Sequence, residues 1–206
     1  MNRQTMIIVF LALVAGAVAG VFITNVFTSR HRLPEDAVGI SPGAGNPQDY
    51  SRRIMQGEQL LASDPKNLYA WIQLGNDYFD TDQYQKAISA YAKALELDPN
   101  NPNVLTDQGV MYQRLGDETR KQGNEKGAVA QFQQAISCFE RSQKLDPNHL
   151  QSLYNLGVVY SEGLNRPDMA ARYWRRYLEI DSTSPKSMEV RSLLEQIKPS
   201  SERSFH

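Results

Sequence analysis

The chain has a single cysteine in 206 residues, Cys138, which excludes an internal disulfide and any cysteine-based metal site. Cys138 falls within an apolar helical pattern, where a buried and inert thiol is expected. Histidine is nearly as scarce. His31, His149 and His206 are scattered, and no His, Cys and carboxylate grouping has the spacing of metal ligands. A glycine-rich phosphate loop is also missing, because Gly123–Gly127 lacks the Lys-Ser/Thr ending that such a loop requires. Strand-like alternation is absent throughout. These absences point to a non-catalytic protein without metal or cofactor. Excess charge is lacking too, with a net charge of −1. All 23 acidic residues follow residue 32, whereas Arg3, Arg30 and Arg32 do not, so the remainder is mildly acidic. That balance offers no basic footprint for nucleic acid.

Long apolar runs are absent with one exception. Ile7–Phe27 is 21 residues without a charge, enough to span about 30 Å of hydrocarbon as a helix. A single transmembrane helix over 7–27 is expected, after a tail of residues 1–6. The other reading is a cleaved signal peptide ending at Ala17-Val18-Ala19, but the apolar run continues through Val21, Phe22, Ile23 and Val26. Basic groups on the two flanks nearly balance. The expectation is a single-pass protein of a bacterial inner membrane with its larger part in the periplasm. Residues 28–48 are rich in Pro, Gly and small residues and read as a flexible linker.

What is abundant beyond the linker is repetition. Trp71-x2-Leu74-Gly75-x2-Tyr78 is followed by Leu105-x3-Gly109-x2-Tyr112 and Leu153-x2-Leu156-Gly157-x2-Tyr160. The first copy continues with Ala87, Tyr91, Ala94 and Pro99, the spacing of a 34-residue helix–turn–helix unit. Leu97-Asp98-Pro99 and Leu145-Asp146-Pro147 close two of the copies. On these residues the chain resembles the tetratricopeptide repeat (TPR) proteins. The resemblance implies an all-α solenoid of about three repeats, with terminal capping helices behind the membrane helix. The repeat domain is placed at 49–198. Its repeats cover 68–101, 102–149 and 150–183, its caps 49–65 and 185–198, and residues 199–206 form a disordered tail.

Two departures stand out. Gly109 follows Gly75 after 34 residues but Gly157 follows Gly109 only after 48, an excess of 14 in repeat two. Seven residues added to each helix would turn the apolar face by only about 20°. The preferred reading is a projecting helical arm with its turn at Gln122-Gly123-Asn124. The alternative ends the first helix at Leu115, near Gly116-Asp117, and inserts a short separate helix. Val129 and Phe132 repeat Ile136 and Phe139 one heptad earlier, and either pack inside the arm or contact a partner. The second departure is Asn165-Arg166-Pro167, which makes the hairpin of repeat three one residue longer than standard.

In the TPR family the first helices line a concave groove. Carried onto this chain, its positions are Tyr69, Ile72, Asn76 and Phe79; Asn103, Thr106, Val110 and Gln113; and Gln151, Tyr154, Val158 and Ser161, with Asn155 beside them. This mixture of rings, aliphatics and amides suits an extended peptide or amphipathic helix. No Lys or Arg falls at these positions, which argues against an acidic C-terminal tail as ligand. Arg172, Arg175 and Arg176 form a basic stripe, read as a solvated outer face or a contact for anionic lipid or an acidic partner. The expected function is a membrane-anchored adaptor that binds a protein or peptide client. The alternative is a scaffold that self-associates through groove or arm. In layout the chain is similar to membrane-anchored TPR proteins of bacterial envelopes.

Overall fold

The computed structural model describes residues 47–197. The expected membrane helix at 7–27, most of the linker and the C-terminal tail lie outside the described residues. Among the described residues no helix is long and apolar enough to cross a membrane.

All regular structure there is helical: α1 (Pro47–Ser63), α2 (Leu68–Asp80), α3 (Tyr84–Leu97), α4 (Pro102–Lys121), α5 (Glu125–Leu145), α6 (Leu150–Val158), α7 (Pro167–Ile180) and α8 (Pro185–Ile197). Helix α1 begins at Pro47, two residues inside the segment read as linker. The pairs α2/α3, α4/α5 and α6/α7 are the hairpins of the three repeats. Polar caps set the starts of three first or second helices. Asn67 accepts from the Ala70 amide at 3.0 Å, Asn101 from Val104 at 3.2 Å and Asn124 from Gly127 at 2.9 Å. Each hairpin turn holds one residue at positive φ: Asp82, Gly123 or Asn165.

The phrase that marks the repeats is a packing device. Tyr91 lies across α2 at Gly75, where a Cβ would stand 2.6 Å from its Cε1. Phe139 lies likewise at Gly109, at 2.5 Å, and Trp174 covers Gly157. All three rings are buried. Three apolar clusters follow one another along the stack, the first under α1–α4, the second joining α4, α5 and α6, and the third joining α6, α7 and α8. Each unit thus completes its core with its neighbours' side chains, the energetic basis of a solenoid.

The insertion in repeat two divides evenly. Helix α4 has 20 residues and α5 has 21, against 13 and 14 in α2 and α3. Helix α4 runs unbroken through Gly116, so the alternative of a helix ending at Leu115 is corrected. The missing side chain at Gly116 admits the Phe132 ring, whose Cε1 is 2.7 Å from where a Cβ would be. Gly116 and Phe132 therefore repeat, one heptad along each helix, the contact of Gly109 with Phe139.

The extra residue of repeat three is absorbed where α6 widens into a π-turn, Val159–Gly163, the usual result of a one-residue insertion in a helix. That turn meets the insertion of repeat two. Gly163 faces the Phe132 ring, with a built Cβ 3.1 Å away. Arg120 donates to the Glu162 carbonyl at 3.0 Å and also to the Gly163 carbonyl. The two irregularities pack on each other, so the base of the arm is braced rather than free.

Candidate functional site

The candidate site is the surface shared by the first helices α2, α4 and α6. In α2, Tyr69 is 40% exposed and Ile72, Asn76 and Phe79 are half-buried. Asn76 is held by its own hairpin, because the buried Tyr91 hydroxyl donates to its Oδ1 at 2.7 Å. This leaves the amide nitrogen of Asn76 for a ligand.

Repeat two differs from the expected set. Val110 and Gln113 are half-buried and Asn103 is exposed, but Thr106 is fully buried. The Thr106 hydroxyl donates to the Pro102 carbonyl at 2.8 Å and lies 3.1 Å from Ser142 Oγ and 3.4 Å from His149 Nδ1. Thr106 is therefore part of the joint between repeats two and three and offers nothing to a groove ligand. Asn103 belongs to the same joint through His149 Nε2, at 2.9 Å.

Sequence reasoning missed Asp107, one position after Thr106. Burial raises its carboxyl to about 6. No cation pairs with it among the described residues. Together with Asp80 and Asp77 it places a negative field on the Tyr91 hydroxyl, which burial and these carboxylates hold well above its ordinary value. Asp77 itself is nearly buried and paired with Arg53, yet burial still raises its carboxyl. The signal for Asp107 was available, since Asn155 of repeat three occupies the same position in its helix.

In repeat three, Gln151 is exposed and Tyr154, Asn155, Val158 and Ser161 are half-buried. The C-terminal helix reaches this end of the surface. Tyr154 donates its hydroxyl to Glu189 at 2.6 Å, and the Lys186 ammonium stands 4.3 Å from the centre of its ring. Lys186 and Glu189, on the C-terminal capping helix, thus belong to the candidate surface. Its polarity runs from carboxylates near Asn76 to a Lys186–Glu189 pair beside Tyr154.

The other candidates lie elsewhere. Phe132 is fully buried between α4 and the π-turn, so it has no surface for a partner, and Val129 is half-buried. Arg172, Arg175 and Arg176 are all exposed on α7. Arg172 and Arg176 line a hollow of about 490 Å³ against α5, and Arg176 pairs with Glu179 at 2.8 Å. Among the described residues no group of three or more His, Cys, Asp or Glu is placed to hold a metal ion.

Helical hairpins stacked by ring-on-glycine contacts define an α-solenoid repeat protein. Two family models agree, one described as TPR repeat over residues 75–116 and one as Tetratricopeptide repeat over residues 120–185. The chain belongs to the tetratricopeptide repeat proteins. Its fold is similar to the crystal structure of MamA, with TM-score 0.61 and 19% identity over 76% of this chain and 81% of that one. The translocator chaperone SycD of Yersinia enterocolitica gives 0.54 and 17% over 63% and 90%. The first TPR of Spaghetti, bound to an HSP90 peptide, gives 0.51 and 22% over 63% and 92%. Among curated relatives, the Photosystem I assembly protein Ycf3 of Synechococcus is 28% identical over 88 residues, covering 41% of this chain and 51% of that protein. The bifunctional subunit NrfFG of the Haemophilus influenzae formate-dependent nitrite reductase complex is 35% identical over 48 residues, covering 23% and 12%. The chain spans about half or less of the length of these curated relatives. The repeats make the protein an interaction scaffold of TPR type.

Proposed function

We propose that the protein is a membrane-anchored adaptor that holds a polypeptide client on the surface of α2, α4 and α6 without chemistry. The observation that carries this reading is the partly exposed row of Ile72, Asn76, Phe79, Val110 and Gln113, with Asp107, a half-buried carboxylate without an ion partner among the described residues, on the same helix as the last two. A charge partly withdrawn from water in this way is costly unless paired. A client that brings a basic group to Asp107, amides to Asn76 and an apolar side chain to Ile72 and Phe79 would satisfy it. Relatives named for photosystem assembly and for a nitrite reductase complex support a role in building a membrane complex. The anchor is Ile7–Phe27, in a bacterial inner membrane with the repeats in the periplasm.

In-cell photocrosslinking tests the client surface. Probes at Ile72 and Gln113 are expected to capture the same protein, and Asp107→Arg to abolish capture from both. Capture that is equal from the exposed Gln133 on α5 would overturn the assignment. For the anchor, Ser41→Cys labelled by a membrane-impermeant maleimide reports the side of the membrane. Labelling only after lysis would place the repeats in the cytoplasm instead.

A second reading, self-association, draws on the two ends of the stack. Met55 and Leu60 on α1 are 52% and 46% exposed, and Met188 on α8 is 63% exposed. Light scattering decides it, since a monomer mass that holds across concentration would remove this reading.

A further inference from the structure

We infer that the hollow between α5 and α7 is a second docking site, which takes a carboxylate from an acidic segment of a partner polypeptide. It lies on the second helices and does not depend on the client surface of the first helices.

The repeats supply the comparison from within. Each second helix lays one ring on a glycine of its partner: Tyr91, Phe139 and Trp174. Two residues after the ring stands a basic residue in every repeat, Lys93, Arg141 and Arg176. Five residues after it stand Glu96, Lys144 and Glu179 in turn. In repeats one and three the base and the acid pair along the helix, Lys93 with Glu96 and Arg176 with Glu179, both at 2.8 Å. In repeat two Lys144 replaces that acid, so Arg141 has a second cation one turn on. Two residues before the ring, repeats one and two carry Ser89 and Ser137, whereas repeat three carries Arg172.

The fold brings these two departures together. Lys144 of α5 and Arg172 of α7 line the same hollow of about 490 Å³, with Glu140, Arg176 and Glu179. Both are exposed, and neither pairs with a carboxylate among the described residues. The acids of the wall are already engaged. Glu179 holds Arg176, and Glu140 accepts from the Tyr173 hydroxyl. What remains is two cations contributed by two helices, with Arg141 and Arg175 one turn away along each. A carboxylate placed between them is attracted by both, in a recess where screening by water is weaker than on an open surface. A lipid surface suits the hollow less well. Its charge is spread out, so it would press on Glu140 and Glu179 as well as on the cations. A single side chain can be set between Lys144 and Arg172 alone, and Arg175 then receives a second acid of the same segment.

The test uses the full chain in a non-ionic detergent and two fluorescein-labelled probes, Glu-Glu-Leu-Glu-Glu-amide and Gln-Gln-Leu-Gln-Gln-amide. Anisotropy is expected to show saturable binding of the acidic probe, about tenfold tighter than the neutral one at low ionic strength. Arg172→Ser, which copies repeats one and two, should weaken the acidic probe about threefold. Lys144→Glu, which copies repeats one and three, should weaken it at least about tenfold, because repulsion replaces attraction. Lys126→Glu makes the same change of charge at the exposed start of α5 and should leave affinity within about twofold. All three positions are exposed, so the helical circular dichroism should not change. Equal binding of the two probes, an affinity unmoved by Lys144→Glu, or an equal loss in Lys126→Glu would overturn the proposal. So would displacement of the acidic probe by glycerol phosphate at a lower concentration than by unlabelled peptide, which would assign the hollow to a lipid headgroup.

Discussion

Arg120 lays its guanidinium over the ring of Phe132, 4.7 Å from the ring centre, while its N–H groups reach the carbonyls of Glu162 and Gly163. One side chain thus covers the added heptad of repeat two and caps the π-turn of repeat three. Glu125 holds the guanidinium from the other side at 3.0 Å. Arg120→Ala is expected to lower stability by about 1–2 kcal/mol, from a cation–π contact and charge-assisted bonds that are only partly desolvated. Denaturant unfolding checks the size of the loss. Hydrogen exchange should show faster opening at 159–163 than in α2, and uniform protection there would refute the brace.

The ring-on-glycine contacts leave no room for a methyl group. Gly109→Ala would set a Cβ 2.5 Å from Phe139 Cε1 and is expected to cost about 2–4 kcal/mol through displacement of a buried ring. Gly123, at φ +81° with nothing near its absent Cβ, should lose only about 1 kcal/mol on the same change, from backbone strain alone. Urea midpoints of the two variants measure the contrast, and similar losses would count against the packing account.

His149 makes the joint between repeats two and three sensitive to acid. Its Nδ1 accepts from the Ser152 amide at 3.3 Å, which caps α6, and its Nε2 contacts Asn103 Oδ1 at 2.9 Å. The neutral ring with a proton on Nε2 satisfies both. Burial lowers its pKa below 6.5, opposed by Asp146. The folded state therefore takes up the proton less readily than the unfolded chain. Its contribution is complete above 6.5 and is lost as pH falls through the lower folded value. His149→Asn, which keeps a capping oxygen, should flatten the fall in Tm between pH 7.5 and pH 5. An undiminished slope would assign the acid sensitivity elsewhere.

Asp107 carries the opposite sign. Its folded pKa, raised by burial from 3.8 to about 6, means that stability declines as pH rises through that window and stays reduced above it. Asp107→Asn is expected to stabilise the protein by about 1–3 kcal/mol at pH 7 and to be neutral below the unfolded value. The same variant should weaken client capture. A gain in stability that accompanies a loss of binding is the signature of a residue retained for its ligand, and a variant without either effect would remove Asp107 from the site.

Cys138 should be inert. Burial pushes its thiol up to about 11, with Arg141 opposing, and only 6% of the residue is exposed. Reaction with a thiol reagent is expected to be slow in the native protein and complete in denaturant. Rapid native labelling would contradict the packing of α5 on α4. An inert Cys138 also leaves Ser41→Cys as the only fast-reacting thiol in the topology experiment.

Much of the repeat stack was legible because its signals are local or periodic. Gly75, Gly109 and Gly157 mark where a ring must lie flat on a helix, and the interval of 48 residues announced two added heptads before any coordinates. The groove positions come from the TPR resemblance, carried onto this chain by helical spacing. Thr106 shows the limit. Its spacing matches that of Ile72 and Tyr154, but whether it faces a groove or a joint depends on Ser142 and His149, residues 36 and 43 positions away.

Tertiary structure alone decided the rest. The extra residue near Asn165 became a π-turn because Arg120 and Phe132 stand ready to receive it, a contact between two irregularities that look independent along the chain. Asp107 owes its raised pKa to burial by neighbouring elements, which no residue count contains. Spacing along one helix determines which residues share a face. Only the packing of neighbouring helices determines what that face meets, and whether a side chain there is buried, paired or left for a partner.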